Sequence, residues 1–194
     1  MNSTHPLDAC NGAALAPHRS PLRSGIRPPR MSRGLAVALL LCAPVPALHA
    51  QDEGATIGSK APVVSVPDLA GTSVRLGSFP GRRPALIEFW ATWCDVCKEL
   101  LPRVRAAHAA YGDRVDFYGV NVTVNESRSR VERYVTRERP PWVTLFDERG
   151  VAVRAFKAPA TSYVVIVDRT GTIRYAGSGG TQDLSAELAK VTAP

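Results

Sequence analysis

Ala85-Leu86-Ile87-Glu88-Phe89-Trp90 runs directly into Ala91-Thr92-Trp93-Cys94-Asp95-Val96-Cys97-Lys98. The first six residues are a nearly continuous apolar run of strand length, which suits a central strand covered on both faces. After the cysteines, Leu100, Leu101, Val104, Ala107 and Ala110 recur at helical spacing, so a helix is expected over Lys98 to Tyr111. Pro102 falls inside it and should kink it or leave a hydrogen bond unmade. The two cysteines stand three apart at the helix start, where such residues share a face. They could close into a disulfide and reopen with little backbone movement, or supply half of a zinc site.

Two further cysteines, Cys10 and Cys42, lie in a leader of different composition. Residues 1–30 are rich in Pro and Arg, lack periodicity and are expected to be unstructured. Met31 offers a second start, so 1–30 reads either as an upstream extension that is not made or as an unusually long basic n-region of the signal. Residues 31–50 have the layout of a secretory signal: Arg33, an apolar run from Leu35 to Val45, then Pro46-Ala47-Leu48-His49-Ala50. The apolar run, about eleven residues, is short of the ~20 that cross a bilayer. Cleavage is expected after Ala50, with Ala47 the second choice. Leu41 is too large for the position before a lipidated cysteine, which disfavours a lipoprotein at Cys42. Residues 51–60 read as a flexible polar entry and 61–194 as one domain. The mature protein is expected to be periplasmic or otherwise secreted, without stable membrane insertion.

Taking the leader away leaves Cys94 and Cys97 as the sole thiols and His108 as the sole histidine. A structural zinc site needs four ligands, so no metal is expected. A purely structural disulfide would close too small a loop to constrain the unfolded chain much. A redox pair is the reading that remains. The formal charge of +7 also shrinks to +3, because the leader holds five arginines and one aspartate. That removes the case for nucleic-acid binding. The arginines from Arg128 to Arg139, interleaved with Glu126, Glu132 and Glu138, read as a solvated helix face. His108, alone on a helix, reads as a surface or packing residue.

Outward from the cysteine stretch, Val63–Val66 and a second strand ending at Leu76 flank an Asp/Gly turn. Val115–Val122 reads as a second buried strand and Asn125–Arg139 as a helix stopped by Pro140-Pro141. Trp142–Phe146 is a short strand and Val151–Phe156 a helical turn. Tyr163–Val167 and Thr172–Ala176 form a hairpin around Asp168-Arg169-Thr170-Gly171, and Asp183–Val191 a final helix. This order implies an α/β fold with a mixed central sheet flanked by helices.

LIEFWATWCDVCKELLP resembles the active-site segment of thioredoxin-fold proteins. With Gly58-Ser59-Lys60-Ala61-Pro62, the Asp68-Leu69-Ala70-Gly71 hairpin, Gly119-Val120-Asn121-Val122 and Val167-Asp168-Arg169-Thr170-Gly171, the pattern is similar to the TlpA/ResA-like secreted thiol-disulfide oxidoreductases. The resemblance covers nearly all of 57–194. It implies a thioredoxin-like fold with an N-terminal β-hairpin extension and a redox-active Cys94-Cys97 disulfide without cofactor. It also implies partners among the thiols and disulfides of exported proteins, as in cytochrome c maturation or metal-site assembly, and an upstream reductant.

Cys94, at a helix start, is the expected nucleophile, because unpaired N–H groups and the helix dipole favour a thiolate there. Cys97 is the expected resolving thiol. Asp95, beside Cys94, and Val96, where many relatives carry Pro, should tune the pair towards a more reducing, less acidic thiol. Glu88 is a carboxylate in an apolar strand, where burial should raise its pKa; by resemblance it relays a proton to the resolving thiol. The position three after Cys97, where relatives tend to carry a second acid, is Leu100. Trp90 is assigned to the core and Trp93 to the rim of a partner groove. Thioredoxin folds place a cis-Pro before the Tyr163 strand. Here Ser162 occupies that place and Pro159 lies three residues too early: either the loop is rebuilt so that Pro159 serves, or a Thr161-Ser162 peptide faces the disulfide, with a trans bond expected and Thr161 and Ser162 as the candidate groove residues. Two alternatives are weighed against this reading. A peroxiredoxin-like thiol peroxidase would want Thr where Ala91 stands. A copper-binding chaperone would want wider cysteine spacing and a distant histidine.

Overall fold

The computed structural model describes residues 54–77 and 83–193. The leader, with its expected signal segment, Cys10 and Cys42, lies outside the described residues.

The strand expected at Ala85–Trp90 (β3) is wholly buried, and its alternate side chains divide between two layers. On one face Ala85, Ile87 and Phe89 pack with Val66 and Leu76 of the N-terminal hairpin (β1 Val64–Pro67, β2 Ser73–Leu76) and with Phe156, which follows the short helix α3 (Val151–Ala155). On the other face Leu86 meets Leu100, Val104 and Ala107 of helix α1 (Asp95–Tyr111) and Leu184 and Leu188 of helix α4 (Leu184–Thr192). A strand buried on both sides has no polar alternation, which is why its sequence reads as a continuous run.

β3 pairs in parallel with β4 (Asp116–Asn121), and β4 in parallel with β5 (Val143–Phe146) across helix α2 (Arg128–Glu138). On its other side β3 is antiparallel to β6 (Tyr163–Val167), itself antiparallel to β7 (Ile173–Ser178). The five-stranded order is β5-β4-β3-β6-β7, a mixed sheet with helices on its faces, and β1-β2 forms the expected separate hairpin. Helix α1 continues past Pro102 and begins three residues before the expected Lys98, because Cys94 serves as its N-cap.

The entry segment, expected to be loose, is a correction over its described part, 54–60. Gly58 N–H donates to Ile173 O and Ile173 N–H to Ser59 O, and Lys60 bridges Thr172 in antiparallel register. Ala55 N–H donates to the Tyr163 hydroxyl at 2.6 Å. The start of β7 carries backbone groups that need partners, and this segment supplies them.

Candidate active site

β3 and β4 run parallel, so their carboxyl ends, Trp90 and Asn121, emerge side by side and the loops after them meet. The loop after β3 carries the cysteines. Cys94 N–H donates to Ala91 O, closing a turn over 91–94, and Lys98 N–H donates to Cys94 O to start the helix. Cys94 and Cys97 are joined as a disulfide with Cα atoms 5.3 Å apart. Both residues are about 4% exposed, so exposure does not distinguish them. Position does: the Cys94 Sγ accepts the Cys97 N–H at 3.0 Å as the N-cap of α1. In the dithiol state a sulfur so placed is favoured as thiolate by that donor and by the positive end of the helix.

Glu88 lies on the α1 side of β3 between Leu86 and Trp90. It is fully buried, and neither carboxylate oxygen has a hydrogen-bond partner. Burial raises its pKa to about 8. The same row of the sheet holds Gly119 and Thr144, whose buried hydroxyl is also unpaired, as is the indole N–H of Trp142 against Gly119. The carboxyl therefore sits in a small polar patch inside the core rather than reaching solvent.

Asp95 is exposed and forms an ion pair with Lys98 at 2.7 Å. Hydrogen bonding from Lys98, then its charge, holds the Asp95 carboxyl below its ordinary range. Lys98 thereby offsets much of the charge that Asp95 brings beside the thiol. We expect Asp95→Asn to move the reduction potential only slightly in the positive direction, by an amount that fades with added salt. Equilibration against a glutathione buffer at two ionic strengths checks this; a large, salt-independent shift would show that Asp95 acts by another route. Val96 projects outward at 45% exposure.

Trp93 is 45% exposed, and its indole donates to Val124 O at 2.7 Å. It forms one wall of an apolar groove of about 360 Å³, with Val122, Val124, Val153, Pro159 and Thr161 among the other lining residues. Trp90 is buried and packs against Tyr134 and Trp142 in the cluster that holds both cysteines. Ser162 departs from expectation. Its side chain is fully buried and donates to Gly179 O at 3.1 Å, so it does not line the groove. Its φ of +61° lies in the left-handed region. Among the described residues no peptide bond is cis. His108 packs edge-on against Phe117. A larger depression of about 500 Å³, between Arg83, Asp113, Arg114 and Arg169, lies at the amino end of β3, far along the strand from the cysteines.

The residue that sequence reasoning missed is Glu126. It is not part of a solvated helix face. Its carboxylate accepts from Thr92 N–H and, at 3.0 Å, from the Thr92 hydroxyl. The available signal was positional: a short polar run, Asn125-Glu126-Ser127, follows a parallel strand adjacent to the cysteine-bearing one, and sites gather at the carboxyl ends of such strands. At the position where a peroxidase-type site would carry a hydroxyl stands Ala91, and the nearby Thr92 hydroxyl is committed to Glu126.

The comparisons with known proteins agree with this geometry. The AhpC/TSA family model matches residues 57–176. The thioredoxin-like protein YneN of Bacillus subtilis is 29% identical over 126 residues, 64% of this chain and 72% of that protein. The thiol-disulfide oxidoreductase ResA of Geobacillus kaustophilus is 25% identical over 119 residues, 61% of this chain and 67% of that protein. A crystal structure of a putative thiol:disulfide interchange protein DsbE from Chlorobium tepidum superposes with a TM-score of 0.63 at 19% identity. It covers 72% of this chain and 99% of that one, a likeness of fold. The chain belongs to the AhpC/TSA family, as a thioredoxin-fold thiol-disulfide oxidoreductase of the TlpA/ResA-like kind.

Proposed function

We propose that this protein reduces disulfides in exported partner proteins through Cys94, with Cys97 resolving. The observation that carries this is the Cys94 sulfur at the N-cap of α1, accepting the Cys97 N–H, beside an apolar groove walled by Trp93 and Thr161. In the first step the Cys94 thiolate attacks one sulfur of the partner's disulfide. That bond breaks, one partner sulfur leaves as thiolate, and a mixed disulfide forms. In the second step the Cys97 thiolate attacks the Cys94 sulfur and releases the other partner thiolate. Two electrons pass to the partner, and the Cys94-Cys97 disulfide is left for an upstream dithiol to reduce. Glu88, whose carboxyl burial pushes up to about 8, is the group proposed to exchange a proton with the Cys97 thiol. The groove would take an extended stretch of the partner beside its disulfide, with Trp93 and Thr161 as contacts.

Residues 31–50, with their signal-like layout, support action outside the cytoplasm, and a structural disulfide partner is plentiful there. Within that compartment the reading extends to the cysteines of apocytochromes c or of metal sites. The test is to express Cys97→Ser in its natural compartment and resolve adducts under non-reducing conditions. Mixed disulfides that vanish with reductant, and that Cys94→Ser does not form, are expected; the attached proteins name the substrate class. An adduct-free Cys97→Ser would sink the proposal.

A further inference from the structure

Glu126 holds a place that the dithiol chemistry does not by itself explain. The turn over 91–94 delivers Cys94 to the start of α1, and its two central residues are Thr92 and Trp93. Neither satisfies its polar groups within the turn. Thr92 gives both its N–H and its hydroxyl to the Glu126 carboxylate, and Trp93 gives its indole N–H to Val124 O. Both receiving groups belong to the loop after β4. That loop is itself braced: Asn121 Nδ2 donates to Glu126 Oε1, Thr123 N–H donates to Asn121 Oδ1, and the Thr123 hydroxyl donates to Asp147 O. Thr123 and Asn125 take left-handed backbone conformations, with φ of +59° and +54°. Non-glycine residues rarely adopt these, and surrounding structure must hold them. The loop is shaped to present one carboxylate to one turn.

We infer that Glu126 is a positioning residue for Cys94, whose carboxylate keeps the 91–94 turn closed when the disulfide is open. In the oxidised protein the Cys94-Cys97 bond already ties the turn to α1. On reduction that tie is gone, and the Glu126 and Val124 contacts remain to keep Cys94 at the N-cap. The disulfide and the clamp both require the closed turn, so each favours the other: without the clamp the reduced turn can open, which stabilises the dithiol relative to the disulfide. The inference rests on the proposed role of Cys94 as the exchanging thiol.

The test is the equilibrium of the purified protein with dithiothreitol, together with the rate at which reduced Cys94 attacks a small aromatic disulfide. Glu126→Ala should shift the equilibrium towards the protein dithiol by up to about tenfold, the scale of losing a charge-assisted hydrogen bond, and slow the attack. Glu126→Gln keeps an acceptor for the Thr92 N–H and a donor for its hydroxyl, and should stay within about twofold of wild type. Should Glu126→Ala fail to fold, Thr92→Val removes the hydroxyl half of the clamp alone and should shift the equilibrium the same way by about threefold. An unshifted Glu126→Ala, or an unshifted Thr92→Val, overturns the inference. So does a Glu126→Ala protein displaced towards the disulfide. A Glu126→Gln protein displaced as far as Glu126→Ala overturns it too, because the carboxylate would then act by charge. A wild-type protein that does not exchange with dithiothreitol at all would instead defeat the proposed function.

Discussion

Glu88→Gln is expected to raise the free energy of unfolding by about 3 kcal/mol at pH 7 and by about 5 kcal/mol at pH 9, with almost no gain at pH 4. The native carboxyl titrates near 8 and the unfolded one near 4.5. Below 4.5 both states hold the proton, and Glu88 contributes no pH dependence. Between 4.5 and 8 the native state binds the proton that the unfolded state has lost, so stability falls as pH rises. Above 8 both are ionised, and the loss is complete. A buried glutamine carries a similar polar burden without a charge, so the difference between the two proteins isolates the ionisation. Urea unfolding of the oxidised proteins at a series of pH values reads it directly. A gap that stays flat from pH 4 to 9 would show that the carboxyl ionises as it would in water. The same substitution should slow release of the mixed disulfide around neutral pH while leaving attack by Cys94 less affected, the signature of a group that serves the Cys97 thiol.

Gly119→Ala is expected to destabilise the protein by about 1–3 kcal/mol, although Gly119 lies in an ordinary strand where alanine has no backbone penalty. A Cβ at this position would stand 2.2 Å from Trp142 Nε1 and 2.5 Å from its Cδ1. The indole cannot turn away freely, since its other side packs on Trp90 with ring centroids 5.7 Å apart. Trp90 in turn belongs to the cluster that contains Cys94 and Cys97. The added methyl should therefore change tryptophan fluorescence and the redox equilibrium along with stability. In a Trp142→Leu background the same methyl should cost much less, and the double-mutant cycle measures that coupling. A Gly119→Ala protein within about 0.5 kcal/mol of wild type, the range of an unremarkable surface change, would mean the indole yields easily.

The elements that the sequence made legible are those whose burial is local and periodic. β3 and α1 follow from an apolar run and a helical stripe on either side of the cysteines. β6 and β7 follow from the Asp168-Arg169-Thr170-Gly171 turn, whose Asp168 accepts from the backbone N–H groups of both Thr170 and Thr172. Ends were harder to read. The residue at the cap of α1 is Cys94 itself, not a serine or aspartate that would announce a helix start. The entry segment has no apolar pattern because it is held by its backbone to the start of β7, and backbone hydrogen bonds leave little trace in side-chain chemistry. Ser162 stands directly before the Tyr163 strand in sequence, which gives its position along the chain but not its backbone φ of +61° or the direction of its side chain.

What the sequence by itself determined is the chemistry: two thiols three apart at a helix start, preceded by a buried strand with one carboxylate in it. Spacing and periodicity act over a few residues, and they suffice to bring Cys94 to Cys97. The tertiary structure alone decided which groups surround that pair. Lys98 at Asp95 is a neighbour on the same helix, but Glu126 on Thr92, Val124 on Trp93 and Trp142 over Gly119 join segments far apart in the chain. Parallel pairing of β3 with β4 aligns their carboxyl ends, and that alignment puts an apparently solvated glutamate on the turn that presents the reactive sulfur.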